Sequence, residues 1–259
     1  MRMQATTFYD DHPFDWTGNY QLHEVGSTLA APLASFINEV PLDALVLDIG
    51  CGPGRVMSCL AARGLRCLGV DLSQASVHLM AERTRKIGIV ASNLRLPFAD
   101  ESVERVISDG VIHHTTNPAG AFEECCRILK PGGLLYLAVY KPGGHYQKLY
   151  QFPGSAIRNL VRHRVGKTFV HATMMPIYYA VRFVKSRGKT SWHGARNLFY
   201  DYFVNPSVEF LSRLEIEQWS HKSGIDIIDY ASNPSLNVHS FLLHKRIPAV
   251  LSDPVSRPH

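Results

Sequence analysis

The chain has no acidic residue between positions 125 and 200. Within that stretch Arg158, Arg162, Arg164, Lys167, Arg182, Lys185, Arg187, Lys189 and Arg196 accumulate with no carboxylate to offset them. A long segment of one sign sets up a positive field that attracts anions or an anionic surface; a solvated helical face explains it equally well. Cysteine is sparse and wrongly spaced for metal or redox work. Cys51, Cys59, Cys67, Cys125 and Cys126 contain no Cys-x-x-Cys pair, and the adjacent two point to different faces of a helix. They read as reduced thiols in a cytoplasmic protein. No His, Asp and Glu cluster has ligand spacing, so no metal is expected. No basic start runs into a long apolar segment, which argues against a secretory signal. The greasiest stretch, residues 168–184, is too short to cross a bilayer and carries His171 and Arg182. A transmembrane segment is therefore not expected, while peripheral contact with a membrane stays open. Charge is modest at 19% and hydrophobic residues reach 46%, so a chain of 259 residues can bury one sizeable core.

What is present begins with Leu45-Val46-Leu47-Asp48-Ile49-Gly50-Cys51-Gly52-Pro53-Gly54. Leucine and β-branched residues bounded by glycine read as a buried parallel strand. The glycines let the backbone turn tightly and approach a ligand with no Cβ between them. Residues 55–63 read as a helix whose first amides face the same spot. This is the first βα crevice of a doubly wound sheet. Its spacing is Gly-x-Gly-x-Gly after Asp48, not the Gly-x-Gly-x-x-Gly that seats a pyrophosphate on a helix N-terminus. A carboxylate in that place repels an anion and welcomes an ammonium. The next strand, residues 66–70, leads to Asp71, where an acidic side chain can take both hydroxyls of an unphosphorylated ribose. S-adenosylmethionine has the amino group, the ribose and a positive sulfonium.

Five blocks follow one another along the chain: Asp48 to Gly54, Val70-Asp71-Leu72-Ser73, Leu96-Pro97-Phe98, Asp109-Gly110-Val111-Ile112-His113-His114 and Leu129-Lys130-Pro131-Gly132-Gly133. In order and spacing this set resembles the motifs of class I S-adenosylmethionine-dependent methyltransferases, over about a third of the chain. The resemblance implies an α/β fold, a doubly wound, seven-stranded, mostly parallel sheet of Rossmann-like type with a helical lid insertion. It implies S-adenosylmethionine as cofactor and methyl transfer to an O, N or C atom of a small acceptor, apolar or anionic, in biosynthetic metabolism. Cofactor contacts are expected from Asp48, Gly50, Cys51, Gly52, Gly54, Asp71, Leu72, Ser92, Asn93, Leu94, Asp109, Gly110 and His114. Relatives place an acidic residue near positions 92–93 against the adenine amino group. Here Ser92 or Asn93 stands there, and an Asn still offers an acceptor and a donor.

Two other readings compete. An RNA or tRNA methyltransferase would use the basic lid, but no RNA module is recognised and the arginines interleave with apolar residues. A relative that uses the bound sulfonium only electrostatically, for cyclisation or rearrangement, would have the same cofactor pocket.

The organisation expected is a cap segment over residues 1–40, a core over 41–140, a helical lid over 141–206, completion of the core over 207–247 and a disordered tail over 248–259. Helices are expected over 21–40, 74–86 (capped by Ser73), 119–129 and 207–223, and strands over 89–91, 103–108, 134–140, 225–230 and 238–244. The resemblance implies that the N-terminal segment folds over the cofactor. Tyr9 and Trp16 there, with Tyr146 and Tyr202 in the lid, are candidate acceptor contacts, with core packing the competing role. Candidate bases are His113, His114 and Asp201. The last stands alone among aromatics in Phe199-Tyr200-Asp201-Tyr202-Phe203, and a carboxylate in apolar surroundings has a raised pKa. Helix capping or pairing with a lid arginine is the commoner role for such a residue.

Overall fold

A computed structural model describes residues 8–10, 12, 29–233 and 237–248. Seven strands form one sheet: β1 (Leu45–Ile49), β2 (Arg66–Asp71), β3 (Ile87–Val90), β4 (Val103–Asp109), β5 (Leu129–Tyr140), β6 (Ile225–Asn233) and β7 (Val238–Lys245). Their order across the sheet is β3-β2-β1-β4-β5-β7-β6. The first five run parallel, and β7 runs antiparallel to both of its neighbours. The order reverses direction between β1 and β4, which opens a crevice at their carboxyl ends. Helices α1 (Ala31–Glu39), α2 (Arg55–Ala62), α3 (Gln74–Thr84) and α4 (Pro118–Ile128) cover the sheet. One core lies on each face. Leu47, Ile49, Val106, Phe122 and Leu135 belong to one, and Val46, Met57, Leu60, Ile107 and Tyr136 to the other.

Alternation along β1 explains this split, since successive side chains point to opposite faces and both faces are covered. α3 starts where expected because the Ser73 hydroxyl accepts a hydrogen bond from the Ser76 amide. α1 starts at Ala31, with Pro32 in its first turn. The first part of the helix expected over 21–40 lies outside the described residues, as does the tail from residue 249 onward.

Residues 141–206 fold as helices α5 (His145–Gln151), α6 (Pro153–Val161), α7 (Arg164–Phe169), α8 (Met175–Lys185) and α9 (Trp192–Phe199). A π turn, Val170–Met174, joins α7 to α8, and a second, Tyr200–Val204, ends α9. The insertion has its own core of Ile157, Val170, Met175, Phe199, Phe203 and Val204, completed by Phe8 from the N-terminal segment.

Two expectations change. The helix expected over 207–223 is only α10 (Arg213–Lys222). Residues 207–212 run extended instead, because the Glu209 amide donates to the His113 carbonyl and the Leu211 amide to the Tyr140 carbonyl, both at 2.8 Å. Tertiary backbone pairing outcompetes the local helical bonds there. α10 then starts at a capping box of Ser212 and Glu215. The fifth strand begins at Leu129 rather than Leu134, because a register shift places Val103 opposite Leu129 and Arg105 opposite Leu134. Lys130 to Gly133 is a bulge in β5 rather than a loop before it.

Candidate active site

A cavity of about 320 Å³ opens at the carboxyl ends of β1, β2 and β4. Three strand tips deliver Asp48, Asp71 and Asp109 to its wall. Asp48 is buried, and its Oδ2 has no hydrogen-bond partner among the described residues. Burial, reinforced by the Asp109 charge and opposed by Arg55, pushes its pKa up to about 8. Asp71 accepts the Gly52 amide on Oδ2 and the Ser73 amide on Oδ1, each at 2.9 Å. Burial raises its pKa, and those two amides oppose the rise. Arg55, at the start of α2, forms an ion pair with Asp109 and also lines the cavity.

The far wall joins the lid and the segment before α10 to the end of β5, the turn after β4 and the N-terminal turn. Here Asp201, Ser207, Tyr140, His114 and Tyr9 meet. Asp201 is 4% exposed, and the Tyr140 hydroxyl donates to its Oδ2 at 2.8 Å. His114 Nε2 lies 3.8 Å from Asp201 Oδ1. The other ring nitrogen of His114, Nδ1, lies 3.1 Å from both the Ser207 carbonyl and the Asn205 side-chain amide. That amide nitrogen also donates to the Tyr9 hydroxyl at 3.4 Å. Burial lowers the pKa of His114, against the opposing pull of Asp201, and raises that of Asp201, against the pull of His114 and Tyr140. The imidazole is thereby held neutral at pH 7. A π turn sets Asp201 in place, as such insertions often do at functional sites.

The family profile described as a methyltransferase domain matches residues 47–137. Residues 47–137 thus carry a methyltransferase domain, similar to those of the class I S-adenosylmethionine-dependent methyltransferases. An uncharacterised methyltransferase of Mycolicibacterium gilvum is 36% identical over 116 residues, 42% of this chain and 46% of that protein. One of Mycobacterium tuberculosis is 33% identical over 144 residues, 50% of this chain and 57% of that protein. The chain spans about half the length of the curated relatives it matches. Among solved structures, a Haloferax volcanii methyltransferase in complex with a methyltransferase activator superposes with a TM-score of 0.61 at 15% identity, over 95% of this chain and 100% of that one. That last likeness is one of fold alone.

The methyltransferase core suits the cofactor of its class on two observations of its own. The orphaned Asp48 oxygen is a buried acceptor at the cavity wall, short of one donor. Gly52 has φ +50° and open space where a Cβ would stand, so any other side chain would both strain the loop and fill the cradle. Twelve of the expected cofactor residues line this cavity: Asp48, Gly50, Cys51, Gly52, Asp71, Leu72, Ser92, Asn93, Leu94, Asp109, Gly110 and His114.

Gly54 does not. It caps α2 in the left-handed region at φ +97°, and a Cβ there would stand 2.9 Å from the Met80 side chain. Its work is to let α2 approach α3. His113 also lies off the wall: it is fully buried, its ring centroid 4.1 Å from that of Tyr140, with neither ring nitrogen hydrogen-bonded among the described residues. Burial drives its pKa well below the usual value, so it is a neutral packing residue that backs His114. Tyr146 and Tyr202 stand behind the cavity, stacked on each other at 4.2 Å, and the Tyr146 hydroxyl donates to the Asp201 carbonyl at 3.0 Å. Trp16 lies outside the described residues. Tyr9 reaches the cavity because residues 8–10 form a helical turn pinned by a 2.7 Å bond from the Ser73 hydroxyl to Asp10.

Reasoning from the sequence missed Tyr140, Arg55, Ser207 and Asn205. Tyr140 and Arg55 were legible in principle, one at a strand's carboxyl end and the other directly after the last glycine. Ser207 and Asn205 carried no signal, because their place depends on the lid returning to the sheet. Among the described residues no helix is long and apolar enough to cross a membrane, and no cluster of three His, Cys, Asp or Glu could hold a metal ion.

Proposed function

We propose that this protein transfers the methyl group of S-adenosylmethionine to a hydroxyl or amine of a small acceptor enclosed beneath the lid. The observation that carries this reading is one cavity with two chemically different ends. At one end Asp48 and Asp71 suit an ammonium and a ribose. At the other His114, Tyr140 and Asp201 suit the removal of a proton.

When bound, the cofactor supplies an electrophilic methyl on a sulfonium, open to in-line displacement. The unpartnered oxygen of Asp48 would receive the ammonium. Asp71 keeps lone pairs beyond those taken by Gly52 and Ser73, so it can still accept from two ribose hydroxyls. Ser92, Asn93 and Leu94 would flank the adenine, and Arg55 offers a cation to the α-carboxylate. His114, neutral and gripped at Nδ1, would take the acceptor's proton on Nε2, with Asp201 steadying the imidazolium that forms. Tyr9 and the lid would keep bulk water from the reacting atoms, and most of the rate would come from holding the two reactants in near-attack geometry.

Isothermal titration with S-adenosylmethionine tests the first half. Asp71→Ala should weaken binding by about 10- to 100-fold, the worth of a hydrogen bond to a charged group. Absence of measurable binding to the unaltered protein would refute the reading. Labelled methyl donor then separates transfer from purely electrostatic use of the sulfonium: label must appear in the product.

A further inference from the structure

The lid has an outer face that the cavity does not use. α7, its π turn and α8 run end to end from Arg164 to Lys185, and Val170 and Met175 turn inward to the lid core. On the outside stand Val165, Phe169, Ile177, Val181 and Val184, which are 83%, 53%, 65%, 47% and 75% exposed. Their spacing follows the helical period, with the longer step between Phe169 and Ile177 taking up the residue that the π turn adds. A helix ordinarily buries such a stripe against its own protein. This one faces solvent.

Cations bracket the stripe. Arg162, Arg164 and Lys167 are exposed at one end, and Lys185, Arg187 and Lys189 at the other. The chain offers them no carboxylate from position 125 to position 200. Among the described residues none of the six is in an ion pair.

We propose that this face docks on an anionic lipid bilayer. The stripe sinks among the acyl chains just below the headgroups, and the two basic clusters pair with lipid phosphates. Charge and polarity together select this occupant. A surface that is anionic outside and greasy immediately beneath matches a rod that is basic at both ends and apolar between them. A nucleic acid would satisfy the cations and leave the valines and isoleucine in water. A second copy would bring equal positive fields face to face. On its other side α8 meets Phe199 and Phe203 through Tyr178, with ring centroids 5.5 and 5.8 Å apart. The docked bilayer therefore lies one helical layer from the segment that carries Asp201.

The test is co-sedimentation of the full chain with vesicles of phosphatidylcholine alone and of phosphatidylcholine with phosphatidylglycerol, at low and high salt. Binding should require phosphatidylglycerol and weaken with salt. The triple variant Ile177→Ser, Val181→Ser, Val184→Ser should lose about tenfold or more in partition, and so should Lys185→Glu with Lys189→Glu. All these positions are exposed, so the melting temperature and cofactor binding should match the parent; a variant that fails this check is replaced by Val165→Ser with Phe169→Ser. The proposal is overturned by equal binding to neutral vesicles, by no binding to either, or by full vesicle affinity in the serine variants. Tight binding to single-stranded RNA that the serine variants retain, without vesicle binding, would assign the face to nucleic acid instead. Self-association that the serine variants abolish, again without vesicle binding, would assign it to a second copy.

Discussion

Asp48, Asp71 and Asp201, on the wall of one cavity, are each costly to ionise, and that cost is informative. Asp48 has its pKa pushed up to about 8, chiefly by burial, so near pH 7 it is largely protonated before a ligand arrives. An ammonium placed beside it favours the carboxylate. Cofactor binding near neutral pH should therefore release a fraction of a proton, seen as a binding enthalpy that changes with the ionisation heat of the buffer. The effect should vanish in Asp48→Asn, together with most of the affinity. On the acceptor side, His114→Ala should lower kcat by roughly 10²-fold or more, the usual range for a lost general base. Asp201→Asn should lower kcat while leaving cofactor affinity unchanged. The proposed base, His114, can work only when neutral, and burial lowers its pKa, so the acid limb of the rate profile should fall below pH 6.5 rather than at it. A limb at or above that value would remove His114 from the role.

At the scale of elements, the proposed acceptor end exists because the chain between lid and α10 refuses to be a helix. Asn205 ties this segment down: its carbonyl accepts from Tyr150, its side chain holds both Ser207 and His114, and its own amide donates to the Tyr200 carbonyl. The segment then lies along the ends of β5 and the His113 turn before Ser212 starts α10. Removing that start should unravel the return path from its downstream side. Ser212→Ala should cost about 1 kcal/mol in urea unfolding, and Ser212→Asp should restore most of it. No loss in the alanine variant would mean that tertiary contacts alone hold the helix start.

For the whole molecule, stability against pH is the sum of opposing buried groups. Asp48 has a folded pKa of about 8 against 3.8 for the free group, so the unfolded chain ionises first as pH rises. Its contribution to stability is present at acid pH and is lost progressively up to about pH 8. Asp71 and Asp201, also raised by burial, act in the same sense. His113 acts oppositely. Its folded pKa lies well below 6.5, so its contribution is complete above that value and is lost as pH falls below it. Thermal melts of the cofactor-free protein should show both slopes. Asp48→Asn should flatten the fall that runs up to about pH 8 and raise stability at pH 8 by on the order of 1–3 kcal/mol, since it removes a buried charge. His113→Phe should flatten the acid one.

The amino-acid sequence by itself determined the parallel core, the crevice and the carboxylates at its rim. Those features rest on contacts between near neighbours in the chain: a strand, a glycine turn, a helix start and a carboxylate at each strand tip. Asp48 and Asp71 could be read from them with no further help, whereas the place beside them stayed open between Ser92 and Asn93. Only the tertiary structure decided the opposite wall of the cavity. Tyr140, Asp201, Asn205 and Ser207 come together because the insertion folds on its own aromatic core and then returns across the sheet edge. It also separated His114 from His113, adjacent and identical side chains of which one reaches the cavity wall and the other packs beneath it. Local pattern sees period and spacing; it does not see which side of a short turn the rest of the molecule will bury.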